Sequence, residues 1–198
     1  MDMNRELDTL LERMIDAYVG SNDAAGVLRQ MLDGAGVGFY PVVDHVTLRT
    51  LDIDRRAAQF LTLGYMYDET LQYDDWFAKV YRKTGYPALF VDQAYPDDRG
   101  RTSIIPGWVR KFGDDRFHHV AVRVEDIEKA VVCLKNKGVV FAGKIVGQPG
   151  GDLRQIFSTP EMVDGQPFTV LELAERHRGY LGFLPPQADS LMKSSAPR

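Results

Sequence analysis

The 198-residue chain has a single cysteine, Cys133. One cysteine makes no internal disulfide, which fits a reducing cytoplasm, and its place in an apolar helical stretch reads as a small core residue. Long apolar runs are missing too. None approaches the roughly 20 residues of a membrane span, and the opening Met1-Asp2-Met3-Asn4-Arg5-Glu6 is too polar for a secretory leader. There is no basic run: 24 Lys and Arg are interspersed with 28 Asp and Glu, for a net charge of −4. That balance argues against nucleic acid or a membrane surface as partner and leaves a small molecule. With 44 % hydrophobic and 11 % aromatic residues, the chain can bury a full core. Histidine is scarce, only four residues, so where each one falls carries information.

Two of the four fall inside a repeat. Asp44-His45-Val46-Thr47-Leu48-Arg49 returns as His118-His119-Val120-Ala121-Val122-Arg123, and at the same offset of 74 Asp52-Ile53 falls on Asp126-Ile127 and Gly64 on Gly138. A unit duplicated in this way delivers one histidine per copy. Around the repeat, Leu7, Leu10, Leu11, Met14, Ile15 and Tyr18 mark an N-terminal helix, and a second runs from Asp23 to Leu32. The first copy then reads as a strand (Val42 to Thr50), a helix (Asp54 to Leu63) and strands near Tyr65 to Leu71, Phe77 to Arg82 and Ala88 to Gln93. The second reads as a strand (Phe117 to Val124), a helix (Asp126 to Lys137) and strands near Val139 to Val146, Leu153 to Ser158 and Phe168 to Glu175. Each copy is βαβββ, so the fold class is α+β. Tyr95 to Asp115, rich in Pro, Gly, Asp and Arg, shows no sustained periodicity and reads as a connector. The organisation expected is one compact domain: helices at 1–36, units at 37–94 and 117–176, a connector at 95–116, and a lid or docking segment at 177–198 ending in a short helix from Gln187 to Met192.

Strand side chains alternate faces. Val46 and Leu48 share one face of the first strand, leaving His45, Thr47 and Arg49 on the other. In the second copy Val120, Val122 and Val124 stand opposite His119, Ala121 and Arg123. Within Phe168 to Glu175, Glu172 shares a face with Val170 and Ala174, a carboxylate among small apolar neighbours that calls for a cation opposite it. Two imidazoles and one carboxylate on one side of a divalent ion leave positions open for substrate and oxygen, as in non-haem Fe(II) oxygenases. His45, His119 and Glu172 are therefore the candidate ligands. An ion pair from Glu172 to Arg49 or Arg123 is the metal-free alternative. His118 points to the opposite face and reads as structural; His177, beyond the last strand, reads as exposed.

From Val42 to Glu175 these residues resemble the vicinal oxygen chelate superfamily, whose paired βαβββ units form a cupped mixed sheet around a metal. Gly151-Asp152-Leu153-Arg154-Gln155-Ile156-Phe157 followed by Val170-Leu171-Glu172-Leu173 resembles the closing segment of 4-hydroxyphenylpyruvate dioxygenase. A closer resemblance is to the 2-oxoadipate dioxygenase/decarboxylase family, also called hydroxyglutarate synthase. It is carried by the His45-x-x-x-Arg49 strand, Tyr86-Pro87-Ala88-Leu89-Phe90-Val91, and the tail Gly182-Phe183-Leu184-Pro185-Pro186-Gln187-Ala188-Asp189-Ser190-Leu191-Met192. Gln187 stands where that family's pattern has Asn. The resemblance implies Fe(II), with Mn, Co, Ni or Zn able to replace it in a purified sample, and O2 as co-substrate. The substrate it implies is a 2-oxo acid that is oxidatively decarboxylated and hydroxylated in the same molecule. Arg49 would grip a distal carboxylate through both oxygens, Gln155 would hydrogen-bond the chelating end, Arg123 is a weaker candidate for substrate contact, and Phe183 would plug the cavity as the tail closes. A homodimer is compatible with this reading.

Two rivals use the same fold. A glyoxalase-type lyase, isomerase or epimerase needs a fourth protein ligand on the last strand of the first unit, where Asp92 is the only carboxylate. A metal-free binding protein needs no ligands at all.

Overall fold

In a computed structural model, residues 2–185, 187 and 191 are described. Helices α1 (Met3–Val19) and α2 (Asp23–Gly34) come first, and Asn22 caps α2 by accepting from the Ala25 N–H at 2.9 Å. The first βαβββ unit follows as β1 (Val43–Arg49), α3 (Ile53–Thr62), β2 (Met66–Gln72), β3 (Trp76–Arg82) and β4 (Ala88–Ala94). Next come α4 (Ile105–Phe112) and the second unit: β5 (Phe117–Val124), α5 (Ile127–Lys135), β6 (Phe141–Val146), β7 (Leu153–Ser158) and β10 (Val170–Arg176). A two-stranded hairpin, β8 (Met162–Val163) with β9 (Gln166–Pro167), interrupts the second unit before its last strand. Eight strands join in the order β2-β3-β4-β1-β5-β10-β7-β6, a mixed α+β architecture as expected. Among the described residues no helix is long and apolar enough to cross a membrane.

The chain divides into two compact units, Met1–Ala17 with His45–His118, and Tyr18–Asp44 with His119–Arg198. In the first, β1 pairs in parallel with β4, which pairs antiparallel with β3, and β3 with β2. Helix α3 covers one face of this sheet with Ile53, Ala57 and Phe60, all buried at spacings of three and four residues. In the second unit β10 runs parallel to β5 and antiparallel to β7, and α5 supplies Ile127, Val131 and Leu134. The N-terminus of α2 is tied to the start of β10, where Asn22 Nδ2 donates to Thr169 Oγ1 at 3.1 Å and the Tyr18 hydroxyl donates to the Val170 carbonyl.

The duplication reaches the level of single hydrogen bonds. Asp52 and Asp126 cap α3 and α5 by accepting from the Arg55 and Lys129 N–H at 3.0 and 2.9 Å, with nearly identical backbone angles. The first N–H of each helix donates to the last strand of its own unit, Ile53 to Gln93 Oε1 and Ile127 to Glu175 Oε2, both at 2.7 Å. Gly64 and Gly138 leave the two helices at φ of 92° and 94°, a left-handed conformation that glycine adopts without strain.

Two expectations about the helices fail. Residues 95–115 are not irregular throughout, because α4 buries Ile105, Trp108 and Val109 at helical spacing. Pro106 sits in its first turn, where a missing N–H costs nothing, and Gly113 ends it at φ 86°. Cys133 is exposed, since the buried stripe of α5 runs through 127, 131 and 134 and residue 133 lies off it. The helix expected from Gln187 to Met192 falls mostly outside the described residues.

Candidate metal centre

In the first unit β1 is buried on both faces: Val46 and Leu48 are fully buried, and His45, Thr47 and Arg49, which strand alternation sets on the other face, are each at most 3 % exposed. The His45 ring lies 5.2 Å from the Phe90 ring on β4. Four residues along, Arg49 is the register partner of Asp92, and its guanidinium carbon sits 5.5 Å from the Trp108 ring of α4. Burial lowers the Arg49 pKa to about 10 against the pull of Asp92. Burial likewise pushes the Asp92 carboxyl up to about 7, with Arg49 and then His45 opposing it. Trp108 also meets the His118 ring edge-on at 5.7 Å, so His118 is part of a buried aromatic contact.

In the second unit His119 Nε2 stands 3.3 Å from Glu172 Oε2, with both side chains buried. Gln155, on the neighbouring strand β7, donates to Glu172 Oε1. This fixes one carboxylate oxygen through a hydrogen bond and leaves the other turned to the imidazole. Phe157 flanks His119 at 5.1 Å between ring centroids, much as Phe90 flanks His45. Behind Phe157, Val170 and Leu191 complete a small buried cluster.

Among the described residues, His45, His119 and Glu172 form a group able to hold a metal ion, each offering one ligand atom and all these atoms lying within 4.8 Å of one another. Donors bound about 2.1 Å from one ion stand about 3 Å apart when adjacent and about 4 Å when opposite. The trio therefore fits a divalent cation with small side-chain adjustments, and two imidazoles with one carboxylate suit a first-row transition metal better than calcium or magnesium.

The register relates the two units residue by residue. In the first unit His45 pairs with Ala88, and in the second His119 pairs with Val170, which places Ala88 and Val170 in equivalent positions 82 residues apart. The helix-capping acceptors Gln93 and Glu175 are separated by the same 82. By this offset the counterpart of Glu172 is Phe90, and the counterpart of Ala174 is Asp92. Phenylalanine has no donor atom.

The architecture has parallels among solved structures. Hydroxyglutarate synthase from Oryza sativa, in complex with 2-oxoadipate, matches with a TM-score of 0.76 at 17 % identity, over 98 % of this chain and 93 % of that one. The fold is of the glyoxalase type. A triple mutant of 4-hydroxymandelate synthase from Streptomyces coelicolor is similar as well (TM-score 0.60, 17 % identity, 80 % of this chain and 55 % of that one). Methylmalonyl-CoA epimerase from Mycobacterium tuberculosis is similar too (TM-score 0.52, 19 % identity, 68 % and 87 %). No family profile and no curated protein matches the sequence. These proteins are named as two synthases and an epimerase, and at 17–19 % identity the likeness shows the fold alone.

Of the other residues singled out from sequence, Gln155 contacts Glu172, Arg49 lies on the His45 face, and Phe183 is buried against Arg176, whose guanidinium carbon is 4.7 Å from its ring. Arg123 is exposed, so the repeat has diverged: its counterpart Arg49 is 2 % exposed. His177 is half-buried rather than exposed, with Nε2 2.6 Å from Glu175 Oε1, because β10 continues to Arg176 and holds it near that carboxylate. Trp108 and Arg176 escaped the sequence reading. The apolar spacing Ile105, Trp108, Val109 was the available signal for the first; the second had none.

Proposed function

We propose that the chain is a non-haem Fe(II)-dependent dioxygenase that decarboxylates a 2-oxo acid of about the length of 2-oxoadipate and hydroxylates the same molecule. The observation that carries this reading is the donor set: two histidines and one glutamate in one cluster, with Phe90 at the position where a fourth ligand would stand. Three protein ligands leave room for a bidentate 2-oxo acid and for O2. A lyase or epimerase with four protein ligands finds no donor at Phe90, and Asp92 lies two residues, about 7 Å, farther along the strand.

Iron, when bound, supplies the chelation of the 2-oxo acid and the activation of O2, which no side chain here can perform. The protein's own groups supply the rest. His45 and His119 present imidazole nitrogens as neutral donors. Gln155 orients Glu172 by donating to Oε1. Phe90 and Phe157 lie against the two imidazoles and exclude water from their flanks. Arg49, buried on the His45 face, offers a guanidinium to the distal end of the substrate.

The direct test is to purify the protein anaerobically, add Fe(II), and follow O2 uptake and CO2 release with a panel of 2-oxo acids. Stoichiometric uptake and release are expected with at least one acid of the 2-oxoadipate type. No uptake with any of them, together with isomerisation of a hemithioacetal, would transfer the assignment to the lyase class. Gln155→Leu is expected to weaken metal binding about 10- to 100-fold, the usual loss when a ligand's hydrogen-bond partner is removed. An unchanged affinity in a chelator competition would show that Gln155 does not orient Glu172.

A further inference from the structure

Asp92 has no part in the metal cluster, and it is an expensive residue to keep. It is 2 % exposed, and among the described residues its Oδ1 has no hydrogen-bond partner. A buried carboxylate oxygen without a donor costs several kcal/mol unless something outside the chain satisfies it. Its position is specific. By alternation Asp92 shares a face of β4 with Ala88 and Phe90, the register partners of His45 and Thr47, and it is itself the partner of Arg49. The pair lies four residues, about 13 Å of strand, from the His45 level. The long side chains of Arg49 and His45 can reach toward each other across that span, which brings it toward the length of a six-carbon acid. On the far side Trp108 backs Arg49.

We propose that Arg49 and Asp92 together receive the far end of the substrate, and that the group received is a hydrogen-bond donor as well as an acceptor, a hydroxyl or carboxamide rather than a second carboxylate. The proposal rests on the dioxygenase reading above and narrows its substrate. Arg49 supplies donors to the oxygen of such a group, and Asp92 Oδ1 accepts from its O–H or N–H. A second carboxylate would be buried facing Asp92 and would bring no O–H or N–H for the unpartnered Oδ1 to accept from.

The test uses the protein loaded with Zn(II) under anaerobic conditions, so that binding is read by calorimetry without turnover. Four ligands of equal chain length are compared: 2-oxohexanoate, 2-oxoadipate, its 6-amide and 6-hydroxy-2-oxohexanoate. The amide and the alcohol are expected to bind wild-type protein at least about 10-fold more tightly than 2-oxoadipate, as for a hydrogen bond to a charged group. Asp92→Asn removes the negative charge and sets an N–H donor beside the one acceptor oxygen that remains, and is expected to reverse the order in favour of 2-oxoadipate. Preference of the wild type for 2-oxoadipate overturns the proposal without recourse to any variant, and so does an unchanged order in Asp92→Asn. If 2-oxohexanoate still binds in a metal-dependent way in either case, the chelation reading survives and only the role of Asp92 is lost. If none of the four binds, both fall.

Discussion

His45→Ala and His119→Ala are each expected to reduce bound metal to background, whereas His118→Ala keeps it at full stoichiometry. The cluster consists of three donors within 4.8 Å of one another, and His118 is not among them despite being adjacent in sequence to His119. Losing a residue that merely hydrogen-bonds a ligand costs about 10- to 100-fold in affinity, so losing a ligand from a set of three must exceed that. Glu172→Ala is expected to act like the histidine variants, and it also strands the Gln155 amide that donates to it. His118→Ala removes an edge-on contact with Trp108 worth about 0.5–1.5 kcal/mol, which lowers Tm by a few degrees. Metal content by elemental analysis and Co(II) absorption spectra separate these outcomes from simple unfolding. Equal losses in all three histidine variants would show that the alternation of β5 does not decide which imidazole binds. Retention of metal in His45→Ala would remove the first unit from the centre.

The candidate site was legible wherever a local rule with a short period governed it. Alternation along β1, β5 and β10 separates His45, His119 and Glu172 from the helix-facing residues because each strand has one apolar neighbour layer, and side chains there have no third direction. The repeat at offset 74 also transmits to the caps Asp52 and Asp126, which sit at matched positions and bind matched N–H groups. What could not be read depends on register between strands far apart in sequence. Phe90 as the counterpart of Glu172 follows only once β1 is paired with β4 and β5 with β10, because the second unit inserts the β8–β9 hairpin and its loop lengths differ. Helix α4 was hidden by its length of eight residues and by Pro106 and Gly107, which signal loops unless they lie in a first turn. The burial of Arg49 against the exposure of Arg123, two arginines at equivalent positions, is likewise a matter of what packs above each one; Trp108 lies over Arg49.

Arg176→Ala is expected to be among the most destabilising single substitutions in the chain, about 3–5 kcal/mol. The Arg176 side chain, 2 % exposed, donates through Nε and Nη2 to the two oxygens of Asp44 at 2.7 and 2.8 Å, and through Nη1 to the Gly182 carbonyl at 2.8 Å. Its planar face carries the Phe183 ring. One guanidinium therefore fixes the residue before His45 and the segment after β10 at once. No sequence rule links them, since 132 residues separate Arg176 from Asp44. Removing the guanidinium leaves Asp44, whose side chain is 8 % exposed, as a buried charge with its two-pronged partner gone. At about 2–4 °C of Tm per kcal/mol for a chain of this size, a fall of roughly 6–20 °C follows. Arg176→Lys retains the charge but loses the two-pronged geometry, and belongs between wild type and alanine. The discriminating variant is the double substitution Asp44→Leu with Arg176→Met. Replacing both members of a buried ion pair by apolar groups of similar volume is often neutral or stabilising, so the double variant is expected to recover most of the loss of Arg176→Ala. If it melts as low as the sum of its two single substitutions, the pair is not coupled, and the contacts to Gly182 and Phe183 carry the stability instead.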